Sequence, residues 1–104
     1  MSKTQTGSVI SNNGSKFIAV FTIDEIQYTA SGNVNPNPGA FKTLTATLHY
    51  DSVAQLTGTR NYTGQVGISK FKASLSNGPS IDGELADQIS PASTTDGAVT
   101  WTTA

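Results

Sequence analysis

Residues 8–23 read SVISNNGSKFIAVFTI, and this stretch decides the fold class. Val9 and Ile10 precede Asn12-Asn13-Gly14, and a run of β-branched and aromatic residues follows from Lys16 to Ile23. Asn and Gly tolerate the positive φ that tight hairpin turns require, so the segment predicts two antiparallel strands joined at residues 12–14. Phe17, Ala19, Phe21 and Ile23 recur every second residue, which places them on one face of a half-buried strand.

The same pattern extends in both directions. Ile26, Tyr28, Ala30 and Val34 alternate in the opposite parity to Phe17–Ile23, so one extra residue near Asp24-Glu25 is needed to restore the register. That requirement predicts a β-bulge or a sharp corner there. Residues 41–50, FKTLTATLHY, read as a strand with Leu44, Ala46, Leu48 and Tyr50 inward and the threonines and His49 outward. Residues 51–55 read as a turn, or alternatively as a single helical turn capped by Asp51, and a strand is expected over 56–62. Thr63-Gly64 is expected to turn the chain into 66–75, where parity slips at Ser69 and implies a second bulge. Asn77-Gly78-Pro79 closes another hairpin into residues 81–85. The polar stretch 86–96, with Pro91, reads as a connection, and 83–89 alternatively as two helical turns; Val99 and Trp101 then share one face of a last strand.

Turn signals every 8 to 12 residues between alternating strands define an all-β domain. The expectation is a single antiparallel β-sandwich or β-barrel of seven to eight short strands with at most one short helix. Residues 1–104 form one domain, with 1–6 a flexible N-terminus. Its core should contain Phe17, Phe21, Leu44, Leu48, Phe71, Leu75 and Trp101. For a chain of this mass, surface scaling leaves roughly 5,500 Å² exposed after folding, enough burial to fold without staples.

Composition excludes several function classes. Thr, Ser, Asn and Gln supply 39 of the 104 residues, whereas six basic and seven acidic side chains leave a net charge of −1. A nucleic-acid binder needs a basic stripe to displace counterions, and none is present. The longest apolar run, Phe17 to Phe21, is far too short to span a membrane. Without cysteine there are no disulfides, thiolate metal sites or cysteine nucleophiles. Residues 1–5 carry no signal-peptide pattern, so the expected site of synthesis is cytoplasmic.

Groups able to carry chemistry are sparse. His49 is the single histidine and is expected to face solvent. Asp82 and Glu84 share a strand face opposite Lys70 and Lys72, and cross-strand pairing accounts for all four. Neither catalytic residues, a metal site nor a cofactor is expected, and the chain does not read as an enzyme.

Residues 31–40, SGNVNPNPGA, form the strongest loop signal, stiffened by Pro36 and Pro38. A stiff polar loop serves either as a binding loop or as a spacer. Tyr62 follows Arg60-Asn61 beside a turn, where a planar ring next to amide and guanidinium donors suits a sugar face; packing in the core is its competing reading. Asn35, Asn37, Arg60, Asn61 and Tyr62 are therefore the candidate ligand-binding residues. Leu56-Thr57-Gly58-Thr59 resembles a strand phrase of the avidin-type biotin barrels. The aromatic and asparagine that follow it in that family are replaced here by Arg60 and Asn61-Tyr62, so no residue is carried across.

The functional expectation is a non-catalytic, lectin-like module for a neutral small ligand or glycan, with homo-oligomerisation open. The alternative is a structural or self-assembling β protein such as a viral or phage particle component.

Overall fold

The computed structural model describes residues 3–35 and 37–103; Pro36 of the proline loop and Met1-Ser2 of the N-terminus lie outside them. Among the described residues six strands follow one another: β1 (Lys3–Ser11), β2 (Lys16–Ile23), β3 (Ile26–Asn33), β4 (Phe41–Tyr50), β5 (Thr59–Leu75) and β6 (Ser80–Thr103). A single 3₁₀ turn, Val53–Gln55, separates β4 from β5. All pairings are antiparallel, in the order β3-β2-β1-β4-β6-β5. The C-terminal part of β6, Val99 to Thr103, returns to pair with Tyr28 to Gly32 of β3. Five strands thereby close into a barrel, and β5 lies along β6 as an additional strand. Of the two expected architectures, this is the barrel. The folded surface of 5617 Å² matches the scaling expectation.

Both sequence-predicted hairpins form. Gly7 to Ile10 of β1 pairs with Ile18 to Phe21 of β2, joined through Asn12-Asn13-Gly14, where Gly14 has φ 79°. Ser74 pairs with Ser80 across the turn that contains Asn77-Gly78-Pro79. The parity change at Asp24-Glu25 is a tight hairpin turn: Ile23 pairs directly with Ile26, and the two intervening residues adopt φ 51° and 68°. That conformation twists in the sense the flanking strands need, although neither residue is the glycine or asparagine that adopts it most readily. The second expected bulge is present as register shifts on either side of Ile68.

Four expectations need correction. First, Leu44 is 68% exposed instead of buried. Gly7 pairs with Ala46 and Val9 with Thr43, so Leu44-Thr45 form a bulge opposite Ser8. The inward set of β4 becomes Phe41, Thr43, Ala46, Leu48 and Tyr50. Second, the strands are six rather than seven or eight, because 59–75 and 80–103 each run continuously. The expected turn at Thr63-Gly64 is strand, and β5 instead changes register beside Gly67, which has φ 102°. Its two arms approach each other: the Ser76 N–H donates to the Asn61 carbonyl at 2.8 Å, and a Cβ on Gly64 would overlap the Lys72 carbonyl oxygen. Third, 86–96 is neither connection nor helix but the middle of β6, held to β5 where Ser93 to Asp96 pair with Thr63 to Val66 and Ile89 pairs with Ile68. Pro91 falls in the irregularity between the Val66–Ser93 and Ile68–Ile89 pairs, where its missing N–H breaks no ladder bond. Fourth, Lys3 to Thr6 are not a free N-terminus; they pair with Thr47 to Tyr50.

Small differences remain at element ends. The 3₁₀ turn is capped by Ser52 rather than Asp51, with Gln55 completing a reciprocal capping box. β5 starts at Thr59, leaving Leu56 buried just before it.

The core is centred on Phe17, whose ring meets Tyr62 edge-on at 5.7 Å and Phe71 at 5.6 Å; Phe41 stacks on Phe71 at 5.4 Å. Phe21, Leu48, Leu75 and Trp101 are buried with them, as the alternation predicts. The barrel interior is thus filled by side chains.

Candidate functional site

Among the described residues no three His, Cys, Asp or Glu side chains gather closely enough to hold a metal ion. His49 faces outward and meets Asp82 at 3.3 Å, both side chains about half exposed. Lys72 stands opposite Asp82 and Lys70 opposite Glu84 in the β5–β6 ladder, as expected from their spacing. No helix among the described residues is long and apolar enough to cross a membrane.

The five candidate ligand residues separate into three groups. Asn35 follows β3 and bridges to Asp96 of β6 through two backbone hydrogen bonds, at 3.1 and 3.0 Å. Asp96 in turn pairs with Thr63, and Asn61 lies two residues along β5 from Thr63. The side chains of Asn35, Asp96, Thr63 and Asn61 are all exposed, so alternation sets them on the outer wall of the barrel. Asn61 and Thr63 also border a shallow cleft of about 250 Å³ between the arms of β5, lined further by Tyr62, Ser74, Leu75 and Ser76.

Asn37 is committed elsewhere. Its amide nitrogen donates to the Asn13 carbonyl at 3.0 Å, and its Oδ1 accepts the Gly39 N–H at 2.7 Å. The side chain ties the proline loop to the β1–β2 turn. Arg60 has the opposite parity to Asn61, and its Nε donates to the Thr57 carbonyl at 3.1 Å, turning it back on the chain that precedes β5.

Tyr62 is a core residue, 3% exposed, and its ring is not available as a stacking platform. Its hydroxyl donates to the Asn33 carbonyl at 2.7 Å. Burial pushes the phenol above its ordinary value near 10. The other aromatics are buried except Tyr28, which is half-buried, so among the described residues no exposed ring stands beside Asn35 and Asn61.

Two residues of this region were not singled out by the sequence. Asn33 accepts the Tyr62 hydroxyl on its carbonyl, and its Oδ1 accepts the Ala98 N–H at 2.8 Å, which clamps β3 to β6 and β5. Asp96 lies between Asn35 and Thr63. The parity of Asn33 against Gly32 and Val34 was readable; its neighbours were not, because they are about 30 and 65 residues away.

No protein-family model matches the sequence, and no curated protein matches it. Among solved structures the chain is similar to the virulence-associated protein VapD from the intracellular pathogen Rhodococcus equi. The TM-score is 0.53 at 19% identity, over 97% of this chain and 98% of that one. At that identity the likeness extends to the fold alone.

Proposed function

We propose that this chain is a non-catalytic binding module that takes a neutral, hydroxyl-bearing ligand, in the manner of a lectin, on the outer wall of its barrel. The observation that carries this reading is the row of Asn35, Asp96, Thr63 and Asn61, set on the wall of a barrel whose interior is filled. The amides offer both donors and acceptors, the carboxylate accepts hydrogen bonds from hydroxyls, and the threonine hydroxyl does either. Ser74 and Ser76 extend the set along the seam cleft. With Tyr62 buried, recognition proceeds by hydrogen bonding without ring stacking, so a single site binds weakly, on the order of millimolar. Binding does not require an ion pair and depends little on salt. A VapD-like barrel is a suitable scaffold for this, because strands hold the row rigidly.

A glycan array followed by calorimetric titration tests the proposal. Asn61→Ala and Asn35→Ala should each weaken binding about tenfold, the worth of one or two hydrogen bonds, while leaving thermal stability in place. Absence of any glycan ligand, or unchanged affinity in both variants, overturns it. The second reading, a self-assembling β protein, is favoured by a different observation: an apolar outer face on the other side of the sheet order, formed by Ile10, Ile18 and Leu44.

A further inference from the structure

We infer that the outer face of β2, β1 and β4 docks a second copy of this chain. The inference rests on the self-assembly reading and holds whether or not a glycan binds at the Asn35–Asn61 row.

Ile10 and Ile18 face each other across the β1–β2 ladder, 44% and 51% exposed. One step along the same outer face, Val20 of β2 stands opposite Ser8 of β1, and the β4 bulge turns Leu44 outward beside Ser8. Four apolar side chains on three adjacent strands thus share one outer face, with exposed Lys42 of β4 opposite Ile10 at its edge, whereas exposed Ile26, Val53 and Ile68 belong to other segments. Single exposed apolar residues are ordinary; a contiguous set on a rigid sheet marks an interaction surface.

The charges at its margins favour a copy of the same chain as occupant. On the β2 side Lys16 shares the outward parity of Ile18. On the other side, beyond β4, Asp87 shares a cleft with Ile10 and Lys42, and Glu84 shares one with Leu44. A two-fold axis running along β1 exchanges these flanks, laying Lys16 of each copy over the acidic β6 flank of the other while the isoleucines meet in the middle. With six cations against seven anions, the chain has no net field to draw a strongly charged partner, and a second copy brings the matching asymmetry.

The size of the patch sets the strength. Three strands at about 4.8 Å spacing and eight to ten residues long present roughly 400 Å², about half of what each partner contributes to a standard stable interface. The dimer is therefore weak and reversible. Two copies joined this way carry two ligand rows, so a weak single-site contact becomes a bivalent one.

Sedimentation equilibrium of the full chain from about 5 to 500 µM tests the inference. The expected result is monomer at the low end and a rising dimer fraction at the high end. Ile10→Thr with Ile18→Thr keeps β-branched residues on both strands and should weaken association at least tenfold with an unchanged circular dichroism spectrum. Lys16→Glu should weaken it as well, and Lys16→Glu combined with Asp87→Lys should restore it. A monomer throughout the range overturns the inference, as does a dimer insensitive to the double threonine variant. A strictly monomeric chain that partitions onto phosphatidylcholine vesicles through Ile10 and Ile18 would assign the face to a lipid surface instead. Glycan binding that fails while the dimer persists would remove only the ligand proposal.

Discussion

Replacing Tyr62 separates its two physical roles. The ring packs edge-on against Phe17 at 5.7 Å, and the hydroxyl crosses from β5 to the end of β3 to meet the Asn33 carbonyl at 2.7 Å. Tyr62→Phe keeps the ring and removes the clasp, which costs about 1 kcal/mol for one net hydrogen bond and up to about 2 kcal/mol if the carbonyl is left dry. Tyr62→Ala also removes a buried aromatic ring and should cost about 3–5 kcal/mol. For a chain of this length each kcal/mol lowers the midpoint by about 4–8 °C. Urea unfolding followed through Trp101, the single tryptophan and buried, reads both changes. A Tyr62→Ala cost below about 1 kcal/mol would refute core packing of the ring. Equal stability of Tyr62→Phe and the parent would refute the clasp. A pH series gives an independent check. Burial raises the folded phenol above 10, so the parent has its full stability below that pH, and loses part of it as pH rises and the unfolded chain gives up its proton first. Tyr62→Phe has no such group, so the stability gap between the two proteins should narrow above about pH 10.

Three further outcomes follow from the packing. Leu44→Thr should change stability by less than about 0.5 kcal/mol, whereas Leu48→Ala on the same strand should cost about 2–5 kcal/mol; equal costs would contradict the β4 bulge. Glu25→Gly should raise the midpoint, since a non-glycine residue at φ 68° stores about 1 kcal/mol that glycine releases, and a lowered midpoint would count against the turn conformation. Gly64→Ala should cost about 1–3 kcal/mol in denaturant unfolding because the methyl group meets the Lys72 carbonyl across the two arms of β5, and a neutral substitution would mean that the arms do not approach.

The chain's local chemistry determined what it could by itself. Hairpins at Asn12-Asn13-Gly14 and Asn77-Gly78-Pro79 were legible because a turn residue's backbone preference acts within a few positions. The burial of Phe17, Phe21, Leu48, Phe71, Leu75 and Trp101 was legible because side chains alternate across any strand. Tyr62 was named as a ligand candidate with core packing as its competing reading, and the structure buries its ring at 3% exposure. Tertiary structure decided the rest. The bulge that expels Leu44 exists only in the pairing of β4 with β1, a partner almost 40 residues away, so no window of sequence around Leu44 contains it. Residues 86–96 have the composition of a loop and join β6 because β5 offers partners to Ile89 and to Ser93 through Asp96, and an unmet backbone donor costs more than weak strand propensity. The meeting of Asn35 with Asp96 and Thr63, and of Ile18 with Ile10, likewise depends on strand order. Alternation tells which face a side chain occupies; only closure of the barrel tells which other side chains it finds there.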